Sequence, residues 1–265
     1  MQTILIWDLP TRVFHWLFAL GFAVAWLTAE WDAAFSIHML SGVLMLGLVL
    51  FRLAWGLLGG RYSRFASFAH GPRAGLAYLR ALLDGTAGRY LGHNPAGSQA
   101  IWLLLGLAPV VTLAGLGAWA GSAWPVGEVL GEGHELLANL MLLVVLLHLA
   151  GVAAESLLHR ENLVAGMLHG RKAAPEGTPA SSRHGGIGTL LLVAVLVSTA
   201  GWLRYAEVAA PVGHGHGAED REAGEHQAVA PARPSPARAG IRPDPAGRPA
   251  GEESGMGGTG AIIRT

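Results

Sequence analysis

The sequence predicts an all-α integral membrane protein: a four-helix transmembrane bundle with a fifth transmembrane helix and a disordered tail. Of its 265 residues, 52% are hydrophobic and 14% are charged, a balance that water-soluble domains rarely show. Apolar segments recur at lengths that cross about 30 Å of hydrocarbon. The C-terminal region changes character and is rich in Gly, Pro and Ala, a composition that cannot bury a core.

Five apolar segments are predicted to span the membrane. The first is short and places Trp16 and Trp26 near the interfaces, where tryptophan is enriched. The four spans of the bundle lie at about 13–29, 39–58, 99–119 and 134–156, within a domain of residues 1–172. A cytoplasmic linker is predicted at 173–186, the fifth span at 187–205 and the disordered tail at 206–265.

Positive charges lie in alternate loops. They fall before span one, between spans two and three, and after span four, at Arg12, Arg61, Arg64, Arg73, Arg80, Arg89, Arg160, Arg171, Lys172 and Arg183. The other two loops carry acids and no base, at Glu30, Asp32, Glu128 and Glu132. Because basic loops stay in the cytoplasm, we expect a cytoplasmic N-terminus and a tail on the opposite, periplasmic side.

Four histidines in or beside the apolar segments carry the most functional information. His134 and His148 are fourteen residues apart in one segment. On an α-helix this spacing returns the second side chain to within about 40° of the first, roughly 21 Å further along the axis. His15 lies at the cytoplasmic end of span one and His38 at the outer end of span two. Depth therefore pairs His15 with His148, and His38 with His134.

Two imidazole pairs at different depths indicate two haems, each with two histidine ligands to its iron. Facing helices of a bundle suit such sites, and an ionisable group inside a membrane is costly enough to suggest a function. The alternative is that these are ordinary core or interfacial histidines, but the depth matching of all four favours ligation. The sequence has no cysteine, which excludes covalent haem attachment and iron–sulfur clusters. The haem would therefore be b-type. A net charge of zero gives no indication of nucleic acid.

Several other polar residues have roles that the sequence leaves open. Arg52 either pairs with a haem propionate or extends to the lipid headgroups. Asn139 and Glu155 in span four are candidates for supporting a ligand or contacting a quinone, and His159 for a quinone or propionate contact. The loop histidines His70, His93, His169 and His184 are predicted to be solvated. His214, His216 and His226 lie in the tail, where weak metal binding is the alternative to plain low complexity.

Six stretches resemble the bacterial cytochrome b561 and nickel–iron hydrogenase b-type cytochrome family. They are WDLPTRVFHWLFAL (Trp7–Leu20), SIHMLSG (Ser36–Gly42), FRLAWG (Phe51–Gly56), GHNPAG (Gly92–Gly97), GHELLANLMLLVVLLHLAG (Gly133–Gly151) and ENLVAGMLHGRK (Glu161–Lys172). The resemblance implies a diheme cytochrome of the bacterial inner membrane that exchanges electrons with quinone. It also implies that His15 and His148 ligate one haem and His38 and His134 the other, with a hydrogenase or a c-type cytochrome as partner.

The predicted function is transmembrane electron transfer by a bis-histidine diheme b-type cytochrome, as a subunit of an oxidoreductase rather than a stand-alone enzyme. A transporter that moves protons or metal ions through intramembrane histidines is the alternative. It would pair those histidines with acids in mid-membrane, and Glu155 is the clear candidate there. A purely structural membrane anchor is a third possibility, but it gives no reason for four histidines matched in depth.

Overall fold

The computed structural model describes residues 1–121, 125–181 and 185–209. The α-helices in these ranges are α1 (Leu9–Thr28), α2 (Phe35–Leu58), α3 (Pro72–Leu83), α4 (Pro95–Ala120), α5 (Pro125–His159), α6 (Leu163–His169) and α7 (Gly185–Ala209). Two short strands, β1 (Gln2–Leu5) and β2 (Arg171–Ala174), complete the secondary structure together with 3-10 turns at Asp32–Ala34 and Phe65–Ser67. The tail predicted to be disordered lies outside the described residues from position 210 onward, as do His184, His214, His216 and His226.

Four helices, α1, α2, α4 and α5, are long and apolar enough to cross a membrane. Each begins before its predicted span, and α5 extends over 35 residues. Large apolar side chains on these helices face outward; Leu136 and Leu147 of α5, for example, are 71% and 63% exposed. Outward-facing leucines of this extent are what a lipid environment requires. The chain is therefore a multi-pass membrane protein. Helix α7 also forms, but its apolar stretch, Gly186–Trp202, is shorter than those of the other four.

The long helices pack as two antiparallel pairs, α1 with α2 and α4 with α5, and contact between α2 and α4 joins the pairs. Leu48 of α2, Ala108 of α4 and Met141 of α5 are each at most 1% exposed and lie in the core between them. Helix α7 packs on α2, where a Cβ on Gly47 would come within 2.9 Å of Val195. Gly47 therefore permits the close approach of these two helices, as small residues commonly do in membranes.

The bundle has two different ends. At the hairpin end, α1 turns into α2 and α4 into α5. At the sheet end lie β1, β2, α3 and α6, beside the start of α1 and the end of α2. The strands pair antiparallel, with Gln2 opposite Ala174 and Leu5 opposite Arg171. The predicted helical fold is confirmed in its main part, and the two short strands are an addition that the sequence did not predict, because QTIL and RKAA do not alternate polar and apolar residues.

Asp8 fastens the start of α1 to the end of α2. It is 2% exposed and caps α1 by accepting a hydrogen bond from the Thr11 backbone N–H at 3.0 Å. Its oxygens also accept from Trp55 Nε1 and the Gly60 N–H, both at 3.2 Å, and from Ser63 Oγ at 2.9 Å. These donors satisfy the hydrogen-bonding capacity of a buried carboxyl group, which would otherwise be costly to bury. The local N-cap fixes where α1 begins, and the remaining bonds fix what it packs against.

Candidate haem-binding sites

The hairpin end brings together His38, at the start of α2, and His134, in the first turns of α5. Their ring centres are 5.9 Å apart with the planes inclined at 76°. Metal–imidazole bonds are about 2 Å long, so two imidazoles on opposite sides of one metal ion have ring centres roughly 6 Å apart. The pair therefore already has the separation that a shared iron requires.

Both imidazoles at the hairpin end are oriented through Nδ1. His38 Nδ1 lies 2.9 Å from the carbonyl oxygen of Ala25, and His134 Nδ1 lies 2.8 Å from that of Val111. A carbonyl only accepts hydrogen bonds, so each Nδ1 carries the proton and donates it. Each Nε2 then carries a free lone pair, which is the arrangement found in histidines that ligate metals.

Gly115 of α4 makes room for His134. A Cβ at Gly115 would lie 2.8 Å from His134 Nδ1, closer than real Cβ atoms come to such atoms. The α4–α5 pair can therefore approach closely enough for the Val111 carbonyl to hold the imidazole only because this position lacks a side chain. The role of Gly115 could not be predicted from the sequence, because it depends on contact with a different helix.

The second pair, His15 of α1 and His148 of α5, lies toward the sheet end. The two rings are close enough to interact electrostatically. His15 Nδ1 is buried and has no hydrogen-bond partner among the described residues. Helices α1 and α5, which carry these histidines, are not among the helix pairs that pack closely in the described chain.

Arg52 is buried at the same depth as the second pair. It follows His38 by fourteen residues in α2, the same spacing that separates His134 from His148 in α5, so it lies on the histidine face of its helix. Its side chain is 3% exposed, and the guanidinium carbon lies 4.9 Å from the centre of the Phe65 ring. This burial argues against a side chain that extends to the headgroups and favours the propionate alternative.

His93 is a residue whose environment the sequence analysis misjudged. Predicted to be solvated, it packs between Trp7 and Phe68, with ring centres 4.6 and 4.4 Å away. Burial, and then the nearby charge of Arg52, lower the pKa of His93 well below its usual value, so the ring is neutral. His70 is also partly enclosed, with Nδ1 3.0 Å from Ser98 Oγ. His169 is exposed, as predicted.

Glu155 lies in a polar cluster at the sheet end. The residue is 7% exposed, and its carboxylate accepts hydrogen bonds from Tyr78 Oη, at 3.4 Å, and from Asn94 Nδ2. Burial, and then the Glu155 charge, raise the pKa of Tyr78. Asn139, the other candidate in α5, is exposed and donates to the Glu135 carbonyl of its own helix. Tyr78 and Asn94 went unnoticed, although Asn94–Pro95 is a recognisable helix start.

Within residues 1–121, 125–181 and 185–209, no group of three or more His, Cys, Asp or Glu side chains could hold a bare metal ion. The histidines predicted to be ligands instead occur in pairs. Two axial ligands suffice for an iron whose other four positions are filled by a macrocycle, whereas a protein-bound metal ion needs more donors from the chain. The donor set therefore fits haem.

Comparison with known proteins agrees with the geometry. A model of the prokaryotic cytochrome b561 family matches residues 6–170, a range that includes both histidine pairs and Arg52. A probable Ni/Fe-hydrogenase B-type cytochrome subunit of Rhizobium leguminosarum bv. viciae is 22% identical, over 64% of this chain and 89% of that protein. No solved structure matches the chain. The resemblance seen in the sequence is thereby confirmed, and the chain belongs to the prokaryotic cytochrome b561 family of b-type cytochromes.

Proposed function

We propose that this protein transfers electrons across the bacterial inner membrane, between the quinone pool and a redox partner, with two haem b groups at different depths. The observation that carries the proposal is the His38–His134 pair, whose rings are 5.9 Å apart and whose Nδ1 atoms both donate to backbone carbonyls. His38 and His134 would ligate the iron at the hairpin end. His15 and His148 would ligate the iron nearer the sheet end.

Bound haem supplies reversible one-electron chemistry at its iron. The chain's own contribution at the hairpin end is to hold both imidazoles in the tautomer that leaves Nε2 free. With two imidazoles on each iron no coordination position would remain open, which favours electron transfer over oxygen chemistry. The Ala25 and Val111 carbonyls set the tautomer at the hairpin end. At the sheet end, Arg52 would neutralise a propionate.

Quinone would react at the sheet end, beside the polar cluster around Glu155. This residue follows His148 by seven positions in α5, which places it on the same helix face about 10 Å further along. Quinol oxidation releases protons as well as electrons, and a buried carboxylate hydrogen-bonded to Tyr78 can accept one. Asn94 fixes the carboxylate's orientation.

In the proposed orientation the sheet end faces the cytoplasm. The loops there hold the Arg and Lys residues, while the hairpin-end loops hold acids. Helix α7 begins beside α1, where a Cβ on Gly188 would meet Pro10, and reaches Gly47 of α2 with Val195. It therefore runs in the direction of α1 and would form a fifth span with the tail on the periplasmic side. A hydrogenase is the partner that the Rhizobium relative's name suggests; a c-type cytochrome is the other candidate.

The transporter alternative requires ligand histidines paired with acids. In the described chain the polar contacts of His38 and His134 are to backbone carbonyls, and Glu155 is bound by Tyr78 and Asn94. His38 and His134 are thus oriented to ligate a metal rather than to relay protons to a carboxylate.

Proteoliposomes test the proposed function. Quinol added outside should reduce an acceptor trapped inside, well above the rate of protein-free liposomes. His15→Ala and His38→Ala should each abolish this transfer, since the two sites act in series. Glu155→Gln should slow reduction by quinol but not by dithionite. Transfer that survives the loss of one haem would overturn the series arrangement.

A further inference from the structure

Arg52 has a buried donor with no partner in the described chain. Its Nη1 is inaccessible to solvent and makes no hydrogen bond. The residue as a whole is also buried, with 3% of its surface exposed. The guanidinium lies against the faces of Phe65 and Phe68, at 4.9 and 5.7 Å, which covers its faces but leaves its edge donors free. A buried cation of this kind is costly unless an anion accompanies it.

The buried carboxylates of the described chain are already bound by other groups. Asp8 interacts electrostatically with Arg52. It already accepts hydrogen bonds from four other residues, Thr11, Trp55, Gly60 and Ser63. Glu155 is held by Tyr78 and Asn94. The anion that Arg52 requires therefore comes from outside the polypeptide.

His93 presents a second buried donor beside the first. Its Nδ1 is buried and unpartnered among the described residues. The Trp7 and Phe68 rings fix the plane of the imidazole, and the next residue, Asn94, is anchored both as the N-cap of α4 and on Glu155. The imidazole is thus held rigidly, although nothing in the described chain accepts from it.

The two unpartnered donors lie close to one another and to the sheet-end ligands. His93 is 4.4 Å and Arg52 5.7 Å from the centre of the same Phe68 ring, so they are at most about 10 Å apart. His93 is also close enough to His15 and His148 to interact with both electrostatically. An anion bound here would lie at the edge of whatever these two imidazoles ligate.

We infer that Arg52 and His93 together form a carboxylate-binding site for the propionates of the sheet-end haem. This inference rests on the proposed function, and it gives His93 a role that the proposed function does not contain. Arg52 supplies the positive charge and His93 a neutral N–H donor, so one or both carboxylates are held by charge-assisted hydrogen bonds. The hairpin-end haem has no equivalent pair among the described residues, so the site selects and anchors one haem of the two.

Haem retention in the purified holoprotein tests the inference. Arg52→Leu and His93→Phe should each speed the loss of one haem to apomyoglobin by about tenfold or more, as expected for a lost hydrogen bond to a charged group. The affected haem should be the one that is absent in His15→Ala. In the double variant the rate of loss of that haem should increase by less than the product of the two single increases, because both donors bind the same group. The hairpin-end haem, retained at the wild-type rate, shows that the bundle remains folded.

His70→Phe is the matched control, since His70 is a loop histidine of the same end whose Nδ1 already has Ser98 as partner; both haems should be retained as in the wild type. His93→Gln keeps a donor and should restore retention, also where His93→Phe fails to assemble. As an independent test, reconstitution with haem dimethyl ester should be poor at the sheet end of the wild type, and this discrimination should disappear in the double variant.

Three results would each overturn the inference while leaving the proposed function intact. The first is unchanged retention of both haems in Arg52→Leu and His93→Phe, and the second is accelerated loss of the hairpin-end haem alone. The third is equal binding of haem and its dimethyl ester by the wild type. A wild-type protein that binds no haem at the sheet end would instead overturn the proposed function.

Discussion

The two ends of the bundle surround similar histidine pairs with different chemistry. At the hairpin end, His38 and His134 are held by the backbone carbonyls of Ala25 and Val111. At the sheet end, His15 and His148 share their surroundings with the side chains of Arg52 and His93. Axial ligands of one type leave the potential of a haem to be set by neighbouring charge, hydrogen bonding and burial. The two proposed haems should therefore differ in potential and in how firmly the protein holds them.

The difference also concerns how each end is stabilised. The hairpin end depends on close backbone approach, as at Gly115. The sheet end depends on side-chain hydrogen bonds between segments far apart in sequence, such as Asp8 with Ser63 and Glu155 with Asn94. The same bundle is thus stabilised by side-chain hydrogen bonds at the sheet end and by close helix packing at the hairpin end.

Removing a proposed haem ligand should have the largest effect, because it should abolish haem binding at one end of the bundle and leave the other end unchanged. His15→Ala and His148→Ala should each lose the sheet-end haem and keep the other, while His38→Ala and His134→Ala should do the reverse. Redox titration of the four variants checks this, since members of a pair should give the same remaining potential. If His15→Ala and His134→Ala lose the same haem, the pairing is wrong.

Asp8→Ala should destabilise the sheet end strongly. It removes the N-cap of α1 and leaves the buried donors of Thr11, Trp55 and Gly60 unpaired, at a cost of about 3 kcal/mol in the free energy of unfolding. Denaturant unfolding in detergent measures the loss. Asp32→Ala is the control at the hairpin end, where the side chain is exposed, and should cost less than about 0.5 kcal/mol. Equal effects of the two substitutions would show that Asp8 does not fasten α1 to α2.

Gly115→Ala should weaken the hairpin end alone, by a smaller amount. The new Cβ must displace His134, whose Nδ1 would lie 2.8 Å away, and overpacking of this kind costs about 1–3 kcal/mol. Faster loss of the hairpin-end haem to apomyoglobin is the expected readout. Gly106→Ala, in the same helix with nothing within 4 Å of its Cβ, should leave retention unchanged. If Gly115→Ala is equally silent, the close approach is not needed to position His134.

The membrane helices and the family were predictable from the sequence, because apolar length and fixed motif spacing are local properties. The four histidines were identified as candidate ligands by the same means, and their roles remain predictions. The sheet-end environment was not predictable. His93 is enclosed by Trp7 and Phe68, which come from two distant segments, and β1 pairs with a strand more than 160 residues away. Contacts of this kind depend on how the loops fold over the helix ends, which carries no periodic signal.

Haem stoichiometry tests the central claim most directly. A pyridine haemochrome assay on the purified protein, set against protein concentration from amino-acid analysis, should give close to two b-type haems per chain. The reason is that two imidazole pairs lie at two depths and, in the proposed function, each pair would supply both axial ligands of one haem. One haem per chain, with none lost during purification, would remove one pair from the account, and no haem at all would contradict it entirely.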